Sequence, residues 1–196
     1  MGRRNDHNRE EIKQMIVLSG QDFIRKFGFS NFSTRKIAKD IRYTVGTLYN
    51  VFESYDNIIL NINAKTLDDM RNFIEEGLDP KLKNAKAIKQ LANLYIEFAH
   101  NNRNIWSALF EYNTPVDLKL PKWYNKKIEK LFSILERQLS ELINKKSTSK
   151  HAKVIWAGIH GICILSLTQK LNVSGTSSAL ILGKSLINNY LRGITK

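Results

Sequence analysis

The spacing of apolar residues is the feature that most limits the folds open to this chain. Along most of its 196 residues, apolar side chains return every three or four positions, and only 3 prolines interrupt the pattern. This spacing places one apolar side chain per turn on a common helix face, whereas a half-buried strand would alternate at every second residue. Because Leu, Ile, Lys and Glu are also abundant, and these residues are common in helices, the sequence predicts an all-α fold.

Cysteine content and hydropathy exclude several classes of protein. The single Cys163 excludes an intramolecular disulfide framework and a cysteine-based zinc site. The longest uncharged run, residues 154–169, is shorter than the roughly 18 residues of a membrane span. No apolar secretory segment follows the N-terminal arginines. We therefore expect a cytoplasmic protein with no membrane partner.

The net charge of +13 is compatible with nucleic-acid binding but does not locate a site. Residues 1 to 56 carry only +3, from 10 basic and 7 acidic residues, so most of the excess lies further along the chain. Arg3 and Arg4 are candidates for an arm in the DNA minor groove, although basic residues at an N-terminus are usually just solvated. A biased genomic base composition would explain the diffuse charge equally well.

Three helices are predicted in the first 52 residues. The first runs from about Asn8 to a C-terminal Gly28. Its apolar face comprises Ile12, Met15, Ile16, Phe23 and Phe27. Ser33 and Thr44 are expected to cap two short helices, which cover residues 34–41 and about 45–52. Two short helices that are joined by a tight turn and braced by a longer one form a helix-turn-helix, whose second short helix can enter a major groove.

The third helix carries small and polar residues near its start. Gly46 and Thr47 allow its backbone to lie close to a DNA surface. The Thr47 hydroxyl and the Tyr49 phenol are expected to donate hydrogen bonds to phosphate oxygens. Asn50 has the donor and acceptor that match an adenine edge. These features predict double-stranded DNA as a partner.

Residues 33–59 resemble the helix-turn-helix of the TetR family of bacterial repressors. The resemblance is carried by Gly28, Phe29, Ser33, Arg35, Ile37, Ala38, Gly46, Thr47, Leu48, Tyr49, Phe52, Ser54, Ile58 and Ile59. It implies phosphate contacts from Ser33, Thr47 and Tyr49, and base contacts from Arg35, Thr44, Val45 and Asn50. Further candidates for DNA contact are Thr34, Lys39, Arg42, Gly46 and Tyr55. The resemblance also implies a helix-turn-helix domain at residues 1–56 and a helical effector-binding and dimerisation domain at residues 57–196.

Two residues depart from the family pattern. Arg42 stands where the family usually has glycine, which suits a left-handed backbone, so either modest strain or a different turn is expected. Tyr55 stands where the family typically has a lysine that contacts a phosphate. A phenol releases no counterion, so the salt dependence of DNA binding should be shallower by about 0.9 per lost contact. Arg42 adds a cation that can compensate.

Six further helices, without an internal repeat, are predicted from residue 55 to the end of the sequence. They cover residues 55–76, 85–100, 104–112, 122–144, 150–171 and 177–191, and residues 113–121 form a loop that can border a cavity. The last two helices are the most apolar, and in a TetR-like protein they would pack against a second copy as a homodimer. Residues 156–161, "WAGIHG", also resemble the Trp, His-Gly signature of one C-terminal subgroup of that family.

Aromatic residues of this second region are candidate walls of a pocket for an unknown small-molecule effector. They are Phe98, Trp106, Phe110, Tyr112, Trp123, Phe132, Trp156 and His160. Aromatic residues at helical spacing are also ordinary core, and for each residue alone packing is the commoner explanation. The resemblance implies that a small, largely apolar ligand releases a repressor from a palindromic operator.

A catalytic set is not apparent in the sequence. His160 and Cys163 share a helix face, but their segment is too apolar for a reactive thiol, and no acidic residue follows Glu141 to orient the histidine. We expect neither enzymatic activity nor a metal or cofactor. Two alternatives to a repressor stay open: an architectural DNA-binding protein without sequence specificity, and a helical interaction protein that binds no DNA.

Overall fold

The computed structural model describes residues 7–112, 119–170 and 172–195, and the regular elements in these ranges are helices. The helices are α1 (Arg9–Phe27), α2 (Thr34–Asp40), α3 (Val45–Phe52), α4 (Tyr55–Gly77), α5 (Asn84–Asn101), α6 (Arg103–Glu111), α7 (Lys122–Leu139), α8 (Thr148–Leu167) and α9 (Gly175–Ile194). Short 3-10 turns occupy Phe29–Asn31 and Lys145–Ser147. The predicted all-α fold is confirmed.

The chain divides into two compact units. The N-terminal unit comprises Met1–Thr66 and Asn104–Leu120, and the C-terminal unit comprises Leu67–Arg103 and Pro121–Lys196. Helix α4 contributes its first half to one unit and its second half to the other. The domain boundary that the sequence predicts at residue 56 is a division by function, between DNA binding and effector binding. The compact units do not test it, so it stays a prediction.

Helix α1 has clear local signals at both ends. The Asn8 side chain accepts the backbone N–H of Glu11 at 3.0 Å, and the Glu11 carboxylate accepts that of Asn8 at 2.7 Å, which satisfies two unpaired donors of the first turn. Gly28 ends the helix with φ of 79°. Between these ends Ile16 and Ile24 are buried, whereas Phe27, which we place on the apolar face, is exposed.

The core of the N-terminal unit joins α1, α2, α3, the first half of α4 and α6. Its buried members are Ile16, Ile24, Ile37, Ala38, Ile41, Leu48, Phe52, Ile58, Ile59, Ile62, Ile105 and Ala108. Helices α1, α2 and α3 pack against one another in pairs. This three-helix arrangement is the one that the sequence predicts.

In the C-terminal unit, α5, α7, α8 and α9 pack together, and two glycines bring the helices close. A Cβ atom at Gly158 in α8 would lie 2.6 Å from Cδ2 of Leu186 in α9. A Cβ atom at Gly183 in α9 would lie 2.7 Å from Cδ1 of Ile96 in α5. A larger residue at either position would therefore require the neighbouring side chain to move.

Several predicted helix boundaries were wrong. Helix α7 ends at Leu139 rather than Asn144, because Ser140 and Asn144 bond to the backbone in ways that compete with a helix. Helix α8 begins at Thr148 instead of Lys150, and α9 extends beyond its predicted range at both ends. Three expectations fall outside the described residues: the arm at Arg3 and Arg4, most of the loop at 113–121, and the helix end at Leu171.

Replacing Gly183 by valine tests the close approach of α9 to α5. The added side chain must displace Ile96, so we expect the free energy of unfolding to fall by about 1–3 kcal/mol. The matched control is Gly193→Val in the same helix, because nothing lies within 4 Å of a Cβ atom there. Chemical denaturation followed by circular dichroism measures both, and equal stability of the two variants would contradict the packing.

Candidate nucleic-acid interface and cavity

The turn between α2 and α3 is held by two backbone hydrogen bonds. Tyr43 N–H donates to the Ala38 carbonyl at 2.8 Å, and Arg42 N–H donates to the Lys39 carbonyl at 3.1 Å. This pair of bonds defines a Schellman motif, in which the residue at the Arg42 position adopts a left-handed backbone. Arg42 has φ of 60°. Of the two expected outcomes the structure therefore has the strained one, and the turn itself keeps the geometry that glycine would favour.

Helix α3 begins with the predicted threonine cap. The Thr44 hydroxyl oxygen accepts the backbone N–H of Thr47 at 3.1 Å. It also lies 3.0 Å from the Thr47 hydroxyl, and either group can be the donor. When Thr44 donates, the Thr47 hydroxyl keeps its hydrogen for an outside acceptor, so the cap is compatible with a phosphate contact at Thr47.

Helix α2 starts without the predicted side-chain cap. The Ser33 carbonyl accepts the N–H of Ile37 at 3.1 Å, so the backbone begins the helix as expected. The Ser33 hydroxyl, however, makes no capping hydrogen bond. The predicted side-chain cap was therefore wrong, because backbone hydrogen bonds alone begin this short helix. The Ser33 hydroxyl takes no part in them.

The candidate DNA-contacting residues lie on the outside of α2, α3 and the turn. Leu48 and Phe52 are buried, and they hold the inner face of α3 against the core. The exposed candidates are Arg35, Lys39, Arg42, Thr44, Gly46, Tyr49, Asn50 and Tyr55, and the half-buried ones are Ser33, Thr34, Val45 and Thr47. The structure thus presents cations from α2 and the turn together with polar groups from α3.

Tyr55 begins α4 and belongs to the same surface. The Ser54 hydroxyl caps this helix by accepting the N–H of Asn57 at 3.1 Å. The Tyr55 ring packs edge to face against Phe32, with 6.0 Å between the ring centroids. Burial, followed by the neighbouring Tyr49 and Asp56, raises the pKa of Tyr55, so its hydroxyl stays neutral and can donate at neutral pH.

Sequence reasoning missed two contacts that support this surface. His7 Nδ1 lies 2.9 Å from the Tyr43 hydroxyl, which ties the start of the described chain to the turn. The Tyr112 hydroxyl donates to the Asp56 carboxylate beside Tyr55. Burial and this hydrogen bond raise the pKa of Tyr112. Both contacts join residues more than 30 positions apart, for which a single sequence carries no signal.

A cavity lies within the C-terminal unit, between α4, α5, α7 and α8. Its lining is Ile74, Ile88, Leu91, Ala92, Tyr95, Leu131, Phe132, Ile134, Leu135, Ile155, Trp156 and Ile159. It contains about 550 Å³ of empty space, part of which is open to solvent. The apolar stripe of α5, with Ile88, Leu91, Ala92 and Tyr95, was the sequence signal for the lining residues that we did not name as pocket candidates.

A tyrosine and a histidine form a polar pair at the cavity. The Tyr95 hydroxyl lies 3.2 Å from His160 Nδ1. The His160 ring stacks on Trp156, with centroids 5.0 Å apart and 21° between the planes. Burial lowers the pKa of His160, which favours the neutral imidazole.

The eight predicted pocket residues are not brought together. Phe132 and Trp156 line the cavity, and His160 contacts it through Tyr95 and Trp156. Phe98 is buried beside Phe73, and Trp123 is exposed. Trp106, Phe110 and Tyr112 belong to the N-terminal unit. The choice of aromatic residues as pocket candidates therefore identified two lining residues correctly. Most of the other lining residues are aliphatic.

The cysteine thiol and the potential metal ligands are the other groups that could form a chemical site. Cys163 is buried, and burial raises the pKa of its thiol to about 12, so the thiolate is scarce at neutral pH. Within residues 7–112, 119–170 and 172–195, no cluster of His, Cys, Asp or Glu has the arrangement of a metal site. None of the helices described there has the length and apolar character needed to cross a membrane.

The chain is similar to one known protein family and to several solved structures. Residues 88–181 match the family described as "Tetracyclin repressor-like, C-terminal domain". None of the curated protein sequences matches the chain significantly. The family match runs from within α5 to the first turns of α9 and includes eleven of the twelve residues that line the cavity.

Solved structures share the fold at low sequence identity. A Rhodococcus sp. RHA1 protein of unknown function is 15% identical with a TM-score of 0.76, and the match covers 100% of both chains. The Bacillus subtilis regulator FadR, in complex with stearoyl-CoA, is 16% identical with a TM-score of 0.71, over 92% of this chain and 98% of FadR. A TetR variant of Acinetobacter baumannii AYE, in complex with minocycline, is 12% identical with a TM-score of 0.68, over 94% and 95% of the two chains. At these identities the match establishes the fold, and together with the family match it confirms the predicted TetR resemblance.

Two substitutions of Arg42 distinguish the effect of backbone strain on stability from the effect of its charge on DNA binding. Arg42→Gly removes both, so we expect the free energy of unfolding to rise by about 0.5–1 kcal/mol, because the cost of the left-handed conformation exceeds the entropy that glycine adds to the unfolded chain. Arg42→Ala removes only the charge and should not be stabilised. The slope of log K for DNA binding against log salt concentration measures the number of phosphate contacts. If Arg42 contacts a phosphate, this slope should be shallower by about 0.9 in both variants.

Thermal or chemical denaturation and binding at several salt concentrations provide the two measurements. An alanine variant as stable as the glycine variant would show that the left-handed backbone is not strained. An unchanged salt slope in both would mean that this position lies away from the DNA.

Proposed function

We propose that this chain, whose fold and C-terminal domain resemble the TetR family, is a homodimeric transcriptional repressor that a small, largely apolar ligand releases from a palindromic operator. The observation that carries the proposal is the helix-turn-helix, in which buried Leu48 and Phe52 anchor α3 and leave its polar face exposed. We assign residues 1–56 to DNA binding, and residues 57–196 to effector binding and dimerisation. Such a regulator acts where the chromosomal DNA is, so we propose a cytoplasmic location.

The proposed DNA contacts divide by chemistry. Hydroxyl groups of Ser33, Thr47 and Tyr49 hold phosphates, which sets the orientation of α3 without reading sequence. Arg35, Thr44, Val45 and Asn50 contact bases, where an amide can bond both to N6 and to N7 of adenine. Exposed Lys39 and Arg42 add cations, Tyr55 adds a neutral donor, and Gly46 permits close approach of the backbone.

The dimer is proposed to form through α8 and α9. These helices expose four large apolar residues, which are Val154, Ile164, Ile181 and Leu182. A pair of helices that packs tightly on one side and exposes apolar groups on the other is suited to a second copy of itself. Dimerisation would then present two α3 helices to half-sites about one helical turn apart.

Ligand release is proposed to act through the cavity. A ligand shifts an equilibrium only by its differential affinity for two states, so it must fit the cavity better when the α3 helices do not match DNA. The apolar lining of the cavity supports an apolar effector.

Selection of bound duplexes from a random library, at near-physiological salt, tests the proposal directly. A palindrome with half-sites about one turn apart is expected for a dimeric, sequence-reading repressor. If no sequence is enriched and binding survives only at low salt, the protein is an architectural DNA binder instead. If no duplex binds at all, the helical interaction protein is favoured.

Within the selected operator, Asn50 and Tyr49 should behave differently. Asn50→Ala should relax the preference at one base position, at a cost of about 1–3 kcal/mol for the preferred base. Tyr49→Phe should weaken binding to all sequences alike, because it removes only a phosphate contact. Competition binding with single-base operator variants distinguishes the two, and an unaltered base preference in Asn50→Ala would contradict the assignment.

Charge placed on the exposed face of α9 should break the dimer. Ile181 is 70% exposed in the isolated chain, so Ile181→Glu should fold normally, yet it would bury an unpaired carboxylate in the dimer. We expect the dissociation constant of the dimer to rise by at least about 100-fold. Leu18→Glu on α1, which is 50% exposed, is the matched control and should leave the dimer intact.

Sedimentation equilibrium without DNA measures both variants. A monomeric wild-type protein, or a dimer that Ile181→Glu leaves unchanged, would refute the proposed interface.

A further inference from the structure

The cavity in the C-terminal unit has a lining without a charged side chain. Nine of its twelve lining residues are aliphatic, and the other three are Tyr95, Phe132 and Trp156. Lys127, one helical turn before Leu131 on α7, is held in an ion pair with Asp68. The lining therefore supplies no cation for a ligand carboxylate and no carboxylate for a ligand ammonium.

A charged group that enters such a site loses its hydration and gains no partner of opposite charge, which makes its transfer costly. An uncharged polar group is much cheaper to transfer when it finds a single hydrogen bond. The Tyr95 hydroxyl offers that bond at the lining, because a hydroxyl combines one donor with two acceptor lone pairs and can bond both to His160 and to a ligand.

We infer that the cavity selects an uncharged, mainly aliphatic molecule with one hydroxyl or carbonyl group, which Tyr95 recognises, and that it discriminates against carboxylates and amines. The inference rests on the proposed effector site and names the chemistry of its ligand. Phe132 and Trp156 pack edge to face, with centroids 5.7 Å apart, and form an aromatic wall beside the aliphatic one.

Three probes with the same alkyl chain test the inference: 1-decanol, decanoate and decylamine. Binding to the full-length protein near neutral pH is measured by calorimetry. We expect 1-decanol to bind at least about tenfold more tightly than either charged probe. Equal or tighter binding of decanoate or decylamine, or no binding of 1-decanol, would overturn the inference.

Variants of the lining separate the charge from the hydrogen bond. Leu135→Lys introduces a cation at the half-buried edge of the cavity and should lower the affinity ratio of 1-decanol to decanoate by about tenfold. Ser133→Lys makes the same charge change at an exposed position of α7 that does not line the cavity, and should leave the ratio unchanged. Tyr95→Phe should weaken 1-decanol binding by about five- to tenfold without affecting decanoate.

An unchanged ratio in Leu135→Lys would refute the charge argument even if Tyr95→Phe behaves as expected. Circular dichroism of each variant checks that it is folded. Operator selection provides a separate readout, because 1-decanol can bind as expected in a protein that enriches no operator. In that case the proposed function fails while the assignment of the cavity stands.

Discussion

The burial of one face of α3 is the interaction on which the rest of the DNA-binding surface depends. Leu48 and Phe52, one helical turn apart, enter a core that α1 and α2 build from Ile16 and Ile37. Burial of each such side chain contributes about 1.5–3 kcal/mol, far more than a short helix of this length gains from its own hydrogen bonds. The polar residues of α3 face outwards because the apolar ones are fixed inwards. The hydroxyl and amide groups of this helix therefore need no tertiary contact of their own to be presented to a ligand.

The turn before α3 shows how a fold tolerates a residue that disfavours it locally. The Schellman hydrogen bonds at residues 38 to 43 require a left-handed residue, and Arg42 adopts that conformation although glycine would do so at lower cost. The packing of α2 and α3 on α1 determines the path of the chain, so the turn accepts the strain. The turn thereby carries a cation at an exposed position, and in the proposed function this cation offsets the charge that the neutral Tyr55 does not supply.

The C-terminal unit combines tight and loose packing for different purposes. At Gly158 and Gly183 the helices approach so closely that a methyl group would clash with Leu186 or Ile96. Between α5, α7 and α8, in contrast, large aliphatic and aromatic side chains surround an empty space. Close packing at the glycines brings α9 against α8 and α5, whereas the cavity lies where α5, α7 and α8 leave space between their side chains. The same arrangement leaves the outer faces of α8 and α9 exposed, as the proposed dimer requires.

The sequence by itself determined the helices and the character of the N-terminal unit, because their signals are local. Helical spacing, the caps at Asn8 and Thr44, and the residues at Gly28 and Arg42 act over a few positions, which is why α1 to α4 lie within a residue or two of prediction. Only the tertiary structure decided which side chains meet. It placed Trp106 and Tyr112 in the N-terminal unit, exposed Trp123, and built the cavity mainly from aliphatic residues with Tyr95 bonded to His160. Apolar spacing marks a side chain as facing inwards, but the close packing of whole helices determines whether that side chain fills a core or borders an empty space.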